Sequence, residues 1–270
     1  MTDDVTTPLR RGFDPSVPHC ARVYDYWLGG KDNFATDRAL GDAMIRAVPD
    51  IRHIAHDNRR FVHRVTRDLA VEEGIRQFLD IGVGLPRSPN LHEIAQHIEP
   101  SARIVYVDND PLVLAHARAL MPSHPEGRVA YIDADLRQPT TILTDPTLHD
   151  TLDLTRPIGL TLIAVLMLLP DTDDPWTHVE ALRDALPSGS CLAITHPTAD
   201  LHPDQINTAA AAATAAGMPL ITRTHEAVRR FFGDWELLKP GLCPVAAWRP
   251  DHQAHDPQTA YYWAGVARKP

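Results

Sequence analysis

The chain has 270 residues, 44% hydrophobic and 23% charged, which supplies ample core material and excludes a mainly disordered or fibrous protein. Its 26 basic and 35 acidic residues leave a formal charge of −9, arguing against sequence-blind binding to nucleic acid or an anionic membrane, since both need a basic surface. The three cysteines, Cys20, Cys191 and Cys243, are odd in number and far apart, as expected of thiols in a reducing compartment rather than a disulfide framework. No basic-then-apolar leader opens the sequence, and the longest mostly apolar run, 158–169, falls short of the roughly 20 residues that span a bilayer. A cytoplasmic protein is expected.

In chain order, residues 1–18 carry proline and mixed polar side chains and predict a loose arm. No strand-like alternation follows before about residue 70. Ile51, Ile54, Ala55, Phe61, Val62, Val65 and Leu69 recur at helical spacing after a Pro49-Asp50 start signal, predicting a long amphipathic helix. Residues 1–70 therefore read as an arm and a helical lead-in. Short apolar strands then alternate with helices. Strands are predicted over 77–81, 103–107, 129–132, 158–166 and 190–195, and helices over 91–98, 111–120, 175–186, 204–216 and 225–232. Ser88-Pro89-Asn90, Asp174 and Thr224 are placed to cap three of those helices. Residues 235–238 and 261–267 read as closing strands, and the proline- and histidine-rich stretch 240–259 as the least structured interior segment. Apolar strands alternating with helices predict a mostly parallel sheet covered on both faces, one doubly wound α/β unit over 71–270.

In such folds ligands bind beyond the carboxyl ends of the strands. The first strand ends Asp80-Ile81-Gly82-Val83-Gly84-Leu85-Pro86, where two glycines permit a tight turn and close backbone approach. The second ends Val107-Asp108-Asn109-Asp110, with Asp108 placed to accept both ribose hydroxyls, and the third leads into Asp133-Ala134-Asp135, positioned for an adenine edge. A dinucleotide fingerprint requires glycine where Arg87 stands, and Pro86 removes an amide that a pyrophosphate uses. S-adenosylmethionine carries no phosphate, and its sulfonium favours a nearby acid such as Asp80. Three successive strand ends carrying GxG, an acid and DxD thus point to a nucleoside cofactor of that kind. On this reading Gly82→Val and Asp108→Ala each cost cofactor affinity and leave the fold largely intact.

The block Ala21-Arg22-Val23-Tyr24-Asp25-Tyr26-Trp27-Leu28-Gly29-Gly30-Lys31-Asp32-Asn33-Phe34 is the most specific motif in the chain. With the strand-end segments 78–86, 105–111 and 131–137, Leu186-Pro187-Ser188-Gly189-Ser190 and Pro240-Gly241-Leu242-Cys243-Pro244, it resembles the actinobacterial S-adenosyl methyltransferase family over about residues 16–267. That family is a Rossmann-like branch long catalogued without a function. The resemblance implies a doubly wound, seven-stranded, mostly parallel sheet with its last strand antiparallel and a helical lid at the N-terminus. It implies that Asp80, Gly82 and Gly84 flank the methionine part of the cofactor, Asp108 holds the ribose, Asn109 lies beside the adenine and Asp135 meets its amino group. The lid would bring Tyr24, Gly29, Gly30, Lys31 and Asn33 near. Val83 and Arg87 depart from the family pattern, and Met167-Leu168-Leu169-Pro170 stands where relatives often show histidines. That change fits an apolar substrate-facing wall or a loss of catalysis.

Other motifs weigh less. Gly29-Gly30-Lys31 lacks the spacing of a phosphate loop. His53 and His56 share a helix face, but structural zinc wants four ligands at tight spacing, and no metal is expected. Asp171, Asp173 and Asp174 form an acidic cluster suited to an amine, to Mg²⁺, or simply to a solvated loop. Trp248, His252 and His255 are candidate substrate contacts in the late loop. Tyr24, Asp171 and His196 are the rim candidates for catalysis. The expected activity is methyl transfer from S-adenosylmethionine to a small-molecule acceptor, leaving S-adenosylhomocysteine, with neither nucleic acid nor membrane as partner. The alternative is a non-catalytic sensor of those two nucleosides, and less favoured still is an NAD-dependent oxidoreductase. Oligomeric state is not legible.

Overall fold

A computed structural model describes residues 14–251 and 261–270; the arm before residue 14, and His252 and His255, lie outside the described residues. Three helices lead in: α1 (Cys20–Trp27), α2 (Ala35–Ala47) and α3 (Ile51–Val71). Asp37, fully buried, organises the first two. Its carboxylate accepts from Phe34 N (2.8 Å) at the start of α2, from His19 N (2.9 Å) before α1, and from Arg22 Nε (2.9 Å). Along α3 the residues at 51, 54, 55, 58, 61, 62, 65 and 69 are buried, the spacing of a single helix face. Phe61 on that face meets the ring of Trp248 edge-on, 5.3 Å between centroids.

Strand and helix then alternate as β1 (Gln77–Ile81), α4 (Leu91–Ile98), β2 (Arg103–Asp108), α5 (Pro111–Leu120), β3 (Arg128–Asp133), α6 (Pro139–Leu143), α7 (Pro146–Thr151) and β4 (Gly159–Ile163). The second half adds α8 (Pro175–Ala185), β5 (Cys191–Pro197), α9 (Pro203–Ala215), α10 (His225–Arg230), β6 (Glu236–Leu237), β7 (Cys243–Pro244) and β8 (Tyr262–Arg268). The abundant proline finds a use here. Helices α5 to α9 each open on one, at the position where the missing N–H costs nothing and the fixed φ suits a helix.

The sheet runs β3-β2-β1-β4-β5-β8-β6, parallel from β3 to β5, with β8 antiparallel between β5 and β6. The two-residue β7 pairs with β8 beyond β6, an eighth strand added to the seven expected. Successive strand residues face opposite sides. Leu79, Val105, Leu160 and Leu192 join a core with α6, α7, α8 and α10. Phe78, Ile104 and Ala193 join one that includes α1, α2 and α3 together with α4 and α9. The lead-in thus shares a core with the sheet. Strand addition reverses direction between β1 and β4, the switch point at which a crevice opens in such sheets.

Three readings of the sequence need amendment. The strand expected over 158–166 ends at Ile163, because Ala164 turns into the left-handed region at φ 53° and the chain continues into a 3₁₀ turn over Leu166–Leu168. The Ala164 amide is held in that turn by Thr195 Oγ1 at 3.1 Å. Helices α6 and α7 were not expected, being too short to show a period. Trp248 is fully buried beneath α3, its carbonyl accepting from Arg64 Nε (3.0 Å), so among the described residues it packs the core and stays out of the cavity lining described below. Among the described residues no helix is long and apolar enough to cross a membrane.

Candidate active site

A cavity of about 550 Å³ opens at the carboxyl ends of β1 to β5 and is roofed by α1, α2 and α3. Its two sides differ in chemistry. Over the tips of β1, β2 and β3 it is polar. Gly82 and Gly84 both adopt left-handed φ, +80° and +65°, so each requires glycine, but their surroundings differ. A Cβ on Gly84 would meet nothing within 4 Å, whereas one on Gly82 would run into the methyls of Val165 at 2.6 Å. Gly82 therefore serves packing as well as the turn, and Gly82→Val costs stability in addition to any ligand. Asp108 is similar. Its carboxylate accepts from Gly84 N (3.1 Å) and Asp110 N (2.9 Å), tying the β1 loop to the β2 loop. Its removal leaves both amides unpartnered, against the expectation of an unaffected fold.

Burial pushes the carboxyls of Asp80 and Asp108 up to about 6, opposed at Asp80 by the Thr161 hydroxyl (2.6 Å) and by nearby Arg59, and at Asp108 by the backbone N–H groups it collects. Asp135 goes the other way. Burial would raise it, but Arg137, donating to both oxygens, and Asn109 Nδ2 (2.9 Å) together bring it down to about 2. Asp80, Asp108, Asn109 and Asp135 all line the cavity.

From the Tyr24-to-Phe34 block, Tyr24, Asp25, Trp27 and Leu28 reach the cavity wall; Gly29, Gly30, Lys31 and Asn33 do not. The reason is local. Asp25 turns its carboxylate onto its own loop, accepting from Asp32 N (3.0 Å) and Asn33 Nδ2 (2.8 Å), and a Cβ on Gly30 would overlap that carboxylate. Lys31 is exposed at the tip of the same turn.

Two of the three catalytic candidates leave the site. His196 on β5 is fully buried, with Nδ1 2.8 Å from Pro197 O and Nε2 2.8 Å from Arg223 Nη1; burial lowers its pKa to about 3. It is a neutral structural imidazole that does not line the cavity. Asp171 lies outside too, its carboxylate in an ion pair with Arg223 at 2.6 Å. That same arginine donates to Leu166 O and Leu169 O, fixing the apolar turn after β4. Asp174 stands before α8 as expected, but its side chain accepts from the Thr177 hydroxyl rather than from a backbone amide.

Two residues on α3 that sequence reasoning passed over also line the cavity. Arg59 donates to Pro89 O (2.7 Å) and to Arg87 O, and its buried Nε has no partner. Asn58, 2% exposed, donates from Nδ2 to the Tyr24 hydroxyl (3.1 Å). A signal existed for Asn58: it is a polar residue on the buried face of an amphipathic helix.

With this geometry in hand, comparison with known proteins decides the family. A family profile described as S-adenosyl methyltransferase matches residues 6–270. The chain belongs to the S-adenosyl methyltransferase family. It is similar to a crystal structure of a DUF574-family protein from Streptomyces avermitilis, with 46% identity over 95% of this chain and 99% of that one and a TM-score of 0.93. It is similar also to a provisional methyltransferase from Thermobifida fusca, with 42% identity over 94% and 96% of the two chains and a TM-score of 0.87. A SAM-dependent methyltransferase from Anabaena variabilis, 14% identical over 94% of this chain and 97% of that one at a TM-score of 0.52, shares the fold. A search of curated proteins finds no match. The methyltransferase family and its Rossmann-like sheet are therefore as the motifs implied.

Proposed function

We propose that this protein transfers the methyl group of S-adenosylmethionine to a small-molecule acceptor in the cytoplasm, by in-line displacement that leaves S-adenosylhomocysteine. The observation that carries the reading is the row of carboxylates Asp80, Asp108 and Asp135 at adjacent strand tips, along one wall of a cavity roofed by helices. The net charge of −9 favours a small acceptor over nucleic acid.

The residues fit such a nucleoside. Gly84 leaves open space beside the β1 loop. Arg59, with an unpartnered buried N–H, lies close enough to Asp80 to lower its pKa, so a cation and an anion stand together for a zwitterionic amino-acid end. In this assignment Asp80 holds the ammonium and Arg59 the carboxylate. Gly82 and Gly84 border the methionine chain. Asp108 accepts the ribose hydroxyls while keeping its backbone bonds, and Asn109 and Asp135 frame the adenine. Helices α1 to α3 act as the lid that excludes water, with Tyr24 on its inner face. Gly29, Gly30, Lys31 and Asn33 shape that lid without contact.

The bound cofactor supplies an electrophilic methyl on a sulfonium, so the protein's work is to orient the acceptor and keep water out. A sensor without catalysis is the second reading, favoured by the sealed His196 and the displaced Asp171. Calorimetric titration with S-adenosylmethionine, S-adenosylhomocysteine and NAD in parallel tests the cofactor, and a turnover assay separates the two readings. Micromolar binding of the two sulfur nucleosides with none for NAD is expected. Silence from both overturns the cofactor assignment, and turnover of any natural acceptor rules out the sensor.

A further inference from the structure

The cavity continues past the cofactor wall, over β4, β5 and the start of β8, and there its chemistry changes. Met44 on α2, Val48 just past its end, Met218 and Leu220 after α9, and Tyr262 on β8 line an apolar chamber there. The Tyr24 hydroxyl, close enough to Tyr262 to raise its pKa, and the Asn58 amide bonded to that hydroxyl also line the cavity. Burial, and at Tyr262 also Tyr24, raises the pKa of both phenols, so neither is a base at neutral pH. Among the described residues the imidazole on the cavity wall is His19, paired with Asp110 at 3.1 Å beyond β2. That lies three strands from β5, roughly 14 Å at the usual strand spacing.

Asn58 stands at the border of the two halves. The Tyr24 hydroxyl has a single proton and gives it to Ala55 O at 2.8 Å, so it can only accept from Asn58, whose Nδ2 donates to it at 3.1 Å. That fixes the amide's orientation and leaves Asn58 Oδ1 buried with no hydrogen-bond partner. An unpartnered buried acceptor is costly, and its complement is a ligand N–H or O–H. The cofactor's ammonium is the poorer candidate, since a buried carboxylate, Asp80, already serves that cation. Resting on the methyltransferase reading above, we infer that Asn58 Oδ1 receives the N–H of the methyl acceptor, an uncharged and largely apolar amine seated in the chamber.

An amine fits better than an alcohol because its lone pair needs no base. The nitrogen lone pair forms the new N–C bond as the methyl–sulfur bond breaks, with that electron pair left on sulfur. The methylated nitrogen, now positive, loses its proton to water. As positive charge builds on nitrogen its N–H bond to Asn58 Oδ1 strengthens, so the contact favours the transition state over the ground state.

The test uses 1-aminonaphthalene, 1-naphthol and 1-naphthoate, which share one ring system and differ in the group presented. Each is titrated into the complete chain saturated with S-adenosylhomocysteine, then supplied with S-adenosylmethionine and assayed for methylated product. The amine is expected to bind at least tenfold more tightly than the carboxylate and to be the compound methylated. Asn58→Leu is expected to weaken the amine about tenfold and leave S-adenosylhomocysteine affinity unchanged, which also shows that the variant is folded. Tyr24→Phe, which removes the bond that orients the amide together with the bond to Ala55 O, is expected to weaken it about threefold. Equal or tighter binding of naphthoate, methylation of naphthol in preference to the amine, or no binding of any of the three overturns the inference. So does a loss of S-adenosylhomocysteine affinity in Asn58→Leu, which makes Asn58 a cofactor ligand. Failure of the unmodified protein to bind either sulfur nucleoside is a different result and removes the cofactor assignment itself.

Discussion

Two stretches of the chain combine glycine with acids, and the fold uses them in opposite ways. In the turn after α1, the Asp25 carboxylate is occupied by Asp32 and Asn33 of its own loop, and the space a side chain at Gly30 would need is filled by that carboxylate. After β1 the vacant side of Gly84 faces open cavity, with Asp80 and Asp108 beside it. The position a Cβ would take is filled by protein at Gly30 and open at Gly84, which lines the cavity. The more specific of the two motifs is thus the scaffold, and the less specific one borders the site.

The largest effect that would break this contrast is at Asp37, the anchor of the scaffold. Asp37→Ala strands the buried Arg22 and two amides, and a loss of about 3–5 kcal/mol is expected, as for one partner removed from a buried pair. Urea unfolding measures it; a change below about 1 kcal/mol would remove the scaffold role. Next comes Arg59→Met, which keeps the aliphatic stem. A charged hydrogen bond contributes about 1.5–3 kcal/mol, so S-adenosylmethionine should bind roughly 10–100-fold more weakly by calorimetry, and unchanged affinity would move the amino-acid end elsewhere.

The acids give a pH test. Asp80 is raised from 3.8 to about 6 in the folded protein. Without ligand its contribution to stability is complete below about 3.8 and lost as pH rises through about 6. A cation bound beside it selects the ionised form, so nucleoside affinity falls as pH drops through 6. Binding at least tenfold weaker at pH 5 than at pH 7 is expected, with a flatter profile in Asp80→Asn that keeps the share of Asp108, also raised to about 6; equal slopes would detach Asp80 from the cation. The smallest effect is at Lys31, exposed and outside the cavity wall. Lys31→Ala should change affinity less than about twofold, and a larger drop would return the turn to the site.

Much of this was legible in the sequence. The bounds of β1, α4 and α5 coincide with the predicted ones, because a strand ending in glycine and helices opened by asparagine or proline carry their signals locally. The acids at the tips of β1 to β3 follow from the same punctuation. Asn58 and Arg59 were passed over because they belong to a helix far from those tips in sequence, brought over them only when α3 packs against the sheet. His196 looked like a rim residue, since β5 is buried along its whole length and so shows no alternation to say which face a side chain takes. Arg223, its partner, comes from a stretch with no regular structure at all.

The sequence by itself determined the alternation of strands and helices and the acids at the tips of the first three strands, because periodicity, capping and strand-end chemistry act over a few residues; the strand order and its reversal between β1 and β4 came from the fold. Only the tertiary structure decided that the Asp25 turn closes on itself, that His196 is sealed under Arg223, and that an amide on α3 keeps a buried oxygen without a hydrogen-bond partner. Each of those depends on which distant surfaces meet when two cores form on either side of one sheet, and no local pattern encodes that.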